Sequence, residues 1–282
     1  MTQYSGRNVI SFSLYGSNPL YCEGAVENVK LAKKFYPGWT CRFYTDSTVP
    51  EDCLASLRNE GSEIIRVEKN LGPVHGRFWR FLVAGDQGIS RFLIRDADSR
   101  LNSRERAAVH DWIRSGRSFH LMRDSLSHRR RMLGGMWGGI GCKLSNIAEL
   151  VDNWGRFDRR GRTDEFLSEV IYPIIRNDCL IHDTHRRFKD EKALDFPQHE
   201  AMEGTSFVGE IVTLDRRGMD VWRRIGELQD ACLHLEGELL RYRTARRERK
   251  KNLPLVGWLA RLWYHWVEKP SNRERRGSRL HF

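Results

Sequence analysis

Two aspartates, Asp96 and Asp98, stand two residues apart behind the apolar run Phe92-Leu93-Ile94 and its flanking Arg91 and Arg95. The run reads as a buried strand, which puts both acids at its carboxyl end. In extended chain, residues i and i+2 point to the same side. Two carboxylates placed so can share one Mg2+ or Mn2+, hard cations that prefer oxygen and keep positions open for water and substrate phosphate. Open α/β sheets also bind ligands at the carboxyl ends of their strands. A bare D-x-D pair can equally be a solvated acidic turn, and its place behind a buried strand is what favours the cation.

The elements that would position this pair alternate along the chain. Residues 8–14 (NVISFSL) are rich in strand formers and end at the breaker Tyr15-Gly16-Ser17-Asn18-Pro19. Over 21–35, Ala25, Val29, Ala32 and Phe35 recur at helical spacing, and Pro37-Gly38 stops the helix. A second strand is expected over 40–44, a short helix over 50–60 and a third strand over 63–67. This alternation predicts a parallel sheet covered by helices. Residues 77–84 (RFWRFLVA) have helical spacing, with Arg77 and Arg80 on one face. A helix is expected over 105–115, a strand over 119–122, a glycine-rich loop over 134–141 (GGMWGGIG), a helix over 164–175 broken near Pro173, and a strand over 179–182. There are no internal repeats.

The 282 residues suffice for one large α/β domain, and 40% hydrophobic content is not that of a disordered chain. The charge of +11 favours anionic partners: nucleic acid, an acidic membrane face or phosphorylated small molecules. No two of the six cysteines are spaced C-x-x-C, which argues against a zinc ribbon, and scattered thiols suit a reducing compartment. Neither G-x-S-x-G nor G-x-x-x-x-G-K-[ST] occurs, so a serine hydrolase and a P-loop enzyme are disfavoured. The first residues carry no secretory signal pattern.

In order and spacing these segments resemble the GT-A fold glycosyltransferases. Arg80-Phe81-Leu82-Val83-Ala84 followed by Phe92-Leu93-Ile94-Arg95-Asp96-Ala97-Asp98 is similar to their arginine-bearing helix and D-x-D strand. Gly134-Gly135-Met136-Trp137-Gly138-Gly139 stands where they carry a small-residue loop against the sugar. Thr163-Asp164-Glu165-Phe166-Leu167 resembles their acidic "D-Q" helix start, and His182-Asp183 falls where many carry a late histidine. The likeness spans roughly residues 8–210. Glu165 departs from the usual glutamine, and the H-x-x-G-x-x-K-P-W ending is absent.

The resemblance implies an α/β chain with a single GT-A-like, Rossmann-like domain over 1–235, built on a mostly parallel central sheet, and a helical, basic C-terminal region over 236–282. It implies a metal-dependent, hexosyltransferase-type enzyme that uses a UDP- or GDP-sugar with Mn2+ or Mg2+ and a glycan or lipid-linked acceptor. The implied metal ligands are Asp96, Asp98 and His182, with His185 and Asp183 as rivals for the third place. The implied nucleotide-sugar contacts are Leu14, Tyr15 and Gly16 at the first strand's exit, Asp46 at the second strand's exit, Arg77 and Arg80 toward the diphosphate, Asp96 toward ribose or metal, and Trp137, Gly138 and Gly139 against the sugar. Asp164, with Glu165 beside it, is the implied general base or donor-hydroxyl ligand. Structural alternatives stand beside these roles: Arg77 and Arg80 as a solvated face, Trp137 as a core residue, Asp164 with Thr163 as a helix cap, His182 as a buried histidine.

The composition shifts near residue 236. Residues 241–251 (RYRTARRERKK) are mostly basic and 254–267 (PLVGWLARLWYHWV) are apolar with three tryptophans. As a helix the apolar stretch would be ~21 Å long, too short for a ~30 Å hydrocarbon core. Its makeup suits an interfacial helix on an anionic membrane, which would place a cytoplasmic enzyme peripherally at the inner face; the alternative is a terminal helix packed on the domain. Two other functions compete. A basic nucleic-acid-binding protein fits the charge and the Arg-rich segments at 128–131 and 241–251, but no helix-turn-helix, RRM or zinc-finger pattern is present, so nucleic acid is disfavoured. A sugar-nucleotide pyrophosphorylase would carry a basic, glycine-rich N-terminal loop, which YGSNPLYCEG does not provide.

Overall fold

Asn18 starts the first helix by accepting the Leu20 N–H at 3.0 Å, with Pro19 in the first turn where a missing N–H does no harm. Such local signals recur along the chain. A computed structural model of the protein describes residues 6–68, 75–158, 162–186, 188–200, 202 and 205–212. The strands are β1 (Arg7–Leu14), β2 (Trp39–Thr45), β3 (Glu63–Arg66), β4 (Ile89–Ile94), β5 (Phe119–Arg123), β6 (Trp137–Ile140), β7 (Cys179–Asp183) and β8 (Ala193–Leu194). The helices are α1 (Pro19–Phe35), α2 (Glu51–Asn59), α3 (Ser103–Ser115), α4 (Ile147–Trp154), α5 (Arg162–Phe166) and α6 (Tyr172–Ile175).

The strands form one sheet in the order β3-β2-β1-β4-β6-β5-β7-β8. All neighbouring pairs are parallel except β6, which is antiparallel to both β4 and β5. The fold is therefore α/β with a mostly parallel sheet. From β1 the chain steps outward to β2 and β3, then returns to β4 on the other side of β1. The carboxyl ends of β1 and β4 thus border a topological switch point, where connections leave in opposite directions and open a crevice.

Side-chain alternation divides the core between the two faces. Phe92 and Ile94 pack on one face with Phe81, Trp137 and Phe166, while Leu93 packs on the other with Phe12, Phe43 and Trp112. A strand buried on both faces needs an uninterrupted apolar run, which Phe92-Leu93-Ile94 supplies.

Several expected elements differ. Residues 134–141 are not all loop, because Trp137–Ile140 is β6. Its glycines are needed there: a Cβ on Gly138 would lie 2.6 Å from the Phe92 carbonyl oxygen, and one on Gly139 would lie 2.7 Å from the Phe119 ring. The segment His75–Gly85 is helical but 3₁₀ rather than α. The helix expected to break near Pro173 instead continues from α5 through a π turn, Leu167–Ile171, into α6. Pro173 has no N–H to give the preceding turn, and the wider turn accommodates that loss. Helix α4 and the two-residue β8 were not expected. The 236 boundary and the region 236–282 lie outside the described residues. Among those described, no helix is long and apolar enough to cross a membrane.

Candidate active site

The crevice between the ends of β1 and β4 holds a cleft of about 640 Å3, within the range of small-molecule sites. Four stretches of chain bring its polar groups together. The end of β1 supplies Ser13, Leu14 and Tyr15; the 3₁₀ segment supplies Arg77 and Arg80; the chain after β4 supplies Asp96 and Asp98; and α5 supplies Thr163 and Asp164. The β5–β6 connection covers another side with His128, Gly134, Gly135 and Met136.

Two hydrogen bonds from β1 hold Arg80. Ser11 Oγ donates to the Arg80 carbonyl at 2.8 Å, and the Arg80 N–H donates to Ser13 Oγ at 3.0 Å. The guanidinium then reaches across to the Arg95 carbonyl and forms an ion pair with Asp96. Arg77 donates to the Tyr15 hydroxyl at 3.2 Å.

The acidic turn after β4 is fastened from below by α1. Asn28 donates to the Ser99 carbonyl at 2.7 Å and accepts the Leu101 N–H at 3.0 Å. One helical turn earlier, Gly24 leaves no room for a Cβ against the Ala97 carbonyl. The helix can approach the turn this closely only because residue 24 is glycine. Behind the turn, Arg95 pairs with buried Glu105 at 2.7 Å, and Glu105 also accepts from Tyr36 at 2.9 Å.

The two carboxylates are not equivalent. Arg80 neutralises Asp96. Among the described residues no side chain donates to Asp98, whose pKa is pushed up to about 6 by burial and then by the negative charge of Asp96. Asp164 accepts the Gly134 N–H at 2.9 Å. Burial raises its pKa, with Asp96 adding to the rise and Arg80 and Arg130 opposing it.

A divalent cation fits this donor set. Both carboxylates offer hard oxygen, Asp98 accepts from no side chain among the described residues, and their mutual repulsion would be relieved by a positive ion. Among the described residues no group of three His, Cys, Asp or Glu side chains is placed to hold a metal. Two carboxylates with water and phosphate oxygens completing the shell is an arrangement that Mg2+ accepts.

The structure brings Leu14, Tyr15, Arg77, Arg80, Asp96, Asp98 and Asp164 to one cleft. The remaining candidates lie elsewhere. His182 is fully buried, its ring bonded to His120 at 2.9 Å and to Asp111 at 3.3 Å, so it does not join the aspartates. Its rivals do not join them either: Asp183 pairs with Arg123 at 2.8 Å, and His185 is exposed and outside the cleft lining. Trp137 is fully buried against Phe81 and Phe92 rather than facing a sugar, and Gly138 and Gly139 lie inside the sheet. Glu165 pairs with Arg162 at 2.6 Å and does not line the cleft. Gly16 and Asp46 are tied to one another through Thr48, beyond the lining, and Asp46 accepts the Thr48 N–H at 2.9 Å.

Sequence reasoning missed Ser13, Tyr21, Asn28 and His128. Ser13 alternates with Leu14 on β1 and could have been read from strand period, whereas His128 sat in a run of arginines that drew attention to charge.

No protein-family profile and no curated relative matches the sequence. Solved structures with a similar backbone include the mannosyltransferase PcManGT from Pyrobaculum calidifontis in complex with GDP-Man and Mn2+, at 12% identity and TM-score 0.41, covering 64% of this chain and 56% of that one. The galactosyltransferase LgtC, in complex with donor and acceptor sugar analogues, matches at 12% identity and TM-score 0.41, covering 65% and 80%. A 4-diphosphocytidyl-2C-methyl-D-erythritol synthase from Anaerococcus prevotii matches at 11% identity and TM-score 0.41, covering 64% and 87%. Glycosyltransferases and nucleotidyltransferases thus both stand among the structural neighbours. The chain spans little more than half the length of the mannosyltransferase.

Proposed function

We propose that this protein is a glycosyltransferase that takes a sugar from a UDP- or GDP-sugar with the help of Mn2+ or Mg2+. The observation that carries the reading is the convergence of Asp96, Asp98, Arg77, Arg80 and Asp164 on one cleft at the sheet's switch point. Sugar transfer from a nucleotide builds negative charge on the departing diphosphate. A cation held by Asp98 and Asp96 would supply electrostatic stabilisation of that charge. Among the described residues Arg77 hydrogen-bonds only to the neutral Tyr15 hydroxyl, so its positive charge is available to the phosphates. Arg80 pairs with Asp96 and would keep that acid oriented. Asp164 is the carboxylate for the acceptor side: buried and raised in pKa, it suits a group that takes a proton from a hydroxyl near neutral pH. Leu14 and Tyr15 would form the wall on the nucleotide side.

A thermal-shift screen of nucleoside diphosphates and nucleotide-sugars, with and without Mn2+, tests this. A ligand that binds only the folded state raises Tm by mass action. We expect stabilisation that needs nucleotide and metal together and disappears in Asp98→Ala. Pyrophosphate release from a nucleoside triphosphate and a sugar phosphate would assign nucleotidyl transfer instead, and no stabilisation by any nucleotide would overturn both. For the acceptor, a glycan or lipid-linked sugar reached from the cytoplasmic face of a membrane fits the sequence of 241–282. Flotation with anionic liposomes, lost when 241–282 is removed, is the expected result.

A further inference from the structure

His128 lines the cleft, yet the proposed chemistry gives it no task. Its ring is oriented by the main chain. The backbone N–H groups of Asp124 and Ser125 both donate to Nδ1, at 3.0 and 3.2 Å. A nitrogen that accepts hydrogen bonds cannot carry the proton, so the proton of the neutral ring resides on Nε2. Burial holds the ring neutral, pushing its pKa down to about 4 against the opposing pull of Asp124 and Asp183.

The turn that fixes Nδ1 is itself fastened. The Asp124 carboxylate accepts two bonds from Arg104 at 2.8 Å, one from Thr184, and one from the Val208 N–H at 2.9 Å. The Phe207 ring stands edge-on to the imidazole at 5.6 Å. The opposite edge of the imidazole, bearing Nε2–H, has no partner among the described residues and is not one of the sealed polar atoms of the core. A neutral donor held this rigidly, with its acceptor missing, is built for an oxygen that arrives with a ligand. Arginines already serve anionic oxygen in this cleft, so the matching acceptor is uncharged.

We infer that His128 is a positioning residue that donates its Nε2–H to a hydroxyl oxygen of the donor sugar. This rests on the glycosyltransferase reading. It also denies His128 the role of general base, since Nδ1 is committed to the backbone and Nε2 already holds a proton. That role stays with Asp164.

Two substitutions separate the ring's two nitrogens. Asn at 128 can present an acceptor near the Nδ1 position but has no group at Nε2. Gln can place an N–H near Nε2 but leaves the two backbone N–H groups without their acceptor. The experiment is calorimetry with Mn2+, using the nucleotide-sugar that stabilises the wild type and its parent nucleoside diphosphate. His128→Asn is expected to keep the wild-type Tm and diphosphate affinity while losing about threefold to tenfold in nucleotide-sugar affinity, the worth of one neutral hydrogen bond. His128→Gln is expected to lower Tm yet hold nucleotide-sugar affinity within about twofold. The reverse order, with Asn normal in binding and Gln impaired, would assign the ring a structural role only and overturn the inference. A long-range proton–nitrogen NMR spectrum showing His128 as imidazolium or as the Nδ1–H tautomer near neutral pH would also overturn it. A wild type that binds no nucleotide-sugar at all is a different failure, that of the glycosyltransferase reading, and the two outcomes are read from different samples.

Discussion

Two clusters of charge lie on this fold, and they are built on opposite plans. Around Arg123, at the end of β5, every charge has its counter-charge. The Arg123 side chain is 1% exposed; its guanidinium bonds Asp183 at 2.8 Å, Glu191, and the Arg131 carbonyl at 2.7 Å. Glu191 in turn accepts from Arg131 at 2.9 Å and from Tyr172 at 2.7 Å, and both arginines lie over the Phe188 ring. In the cleft at the end of β4 the accounts stay open. Among the described residues Asp98 repels Asp96 without a side-chain donor, and Arg80 Nε is buried with no partner. A closed network tightens a structure, whereas uncompensated charge in a cleft marks a place where something else is to bind.

Breaking the closed network should have the larger effect on folding. Arg123→Met removes the buried guanidinium that Asp183 and Glu191 share, which costs about 3–5 kcal/mol; urea unfolding measures it. A loss below ~1 kcal/mol would mean that water reaches the network and that the contrast with the cleft is false.

The open cluster should respond to pH in the unusual direction for an aspartate. The folded-state pKa of Asp98, about 6, lies above its ordinary 3.8. The native state therefore holds the proton more tightly, so the stabilising contribution is complete below about pH 3.8 and is lost as pH rises through 6. Between pH 5 and 7 the loss is about 1 kcal/mol, and it should vanish from the difference between wild type and Asp98→Asn. Mn2+ should act oppositely, stabilising the wild type more at pH 7 than at pH 5, because the ligand must be deprotonated. Equal Mn2+ effects at both pH values would remove the cation from Asp98.

A contrast of adjacent glycines tests the same cluster through its backbone. A Cβ at Gly135 would overlap the Asp96 carboxylate and crowd the Asp96 backbone nitrogen at 3.0 Å. At Gly134 the closest atom is Arg80 Nη2, the far end of a long side chain, at 2.6 Å. Gly135→Ala should therefore weaken Mn2+-dependent nucleotide binding about tenfold, ~1.4 kcal/mol, and Gly134→Ala distinctly less. The opposite ranking would show that Arg80, not Asp96, is the group the ligand depends on.

Strand period and local caps made the parallel half of the sheet legible: β1 through β4, with Asp96 and Asp98 at a carboxyl end, follow from apolar runs and breakers. The antiparallel β6 was not legible. Gly138 and Gly139 look like loop because propensity is local, while the reason for them, close approach by Phe92 and Phe119, is tertiary. The same limit hid Asn28, whose polar side chain on a buried helix face makes sense only beside the turn at Ala97–Ser99. His182 misled for a related reason. A histidine after a strand can point to either face, and sequence does not say which.

That choice of face yields the last contrast. Side chains alternate along β7, so Ile181 packs with the cluster around Trp137, while His182 turns the other way toward Asp111 of α3 and toward His120, which stacks on Trp112. To reach a cation at Asp98, His182 would have to abandon both partners and leave His120 Nε2 unpaired in the core, beside an Nδ1 that already lacks a partner among the described residues. An unsatisfied buried polar atom costs about 1–3 kcal/mol, which one additional ligand bond would have to outweigh. His182→Asn should thus lower stability by an amount of that order and change Mn2+-dependent nucleotide affinity by less than about twofold. A tenfold loss of that affinity with an unchanged Tm would mean that the histidine pair opens on binding, and that a group serving the core in the free protein is recruited to the cleft.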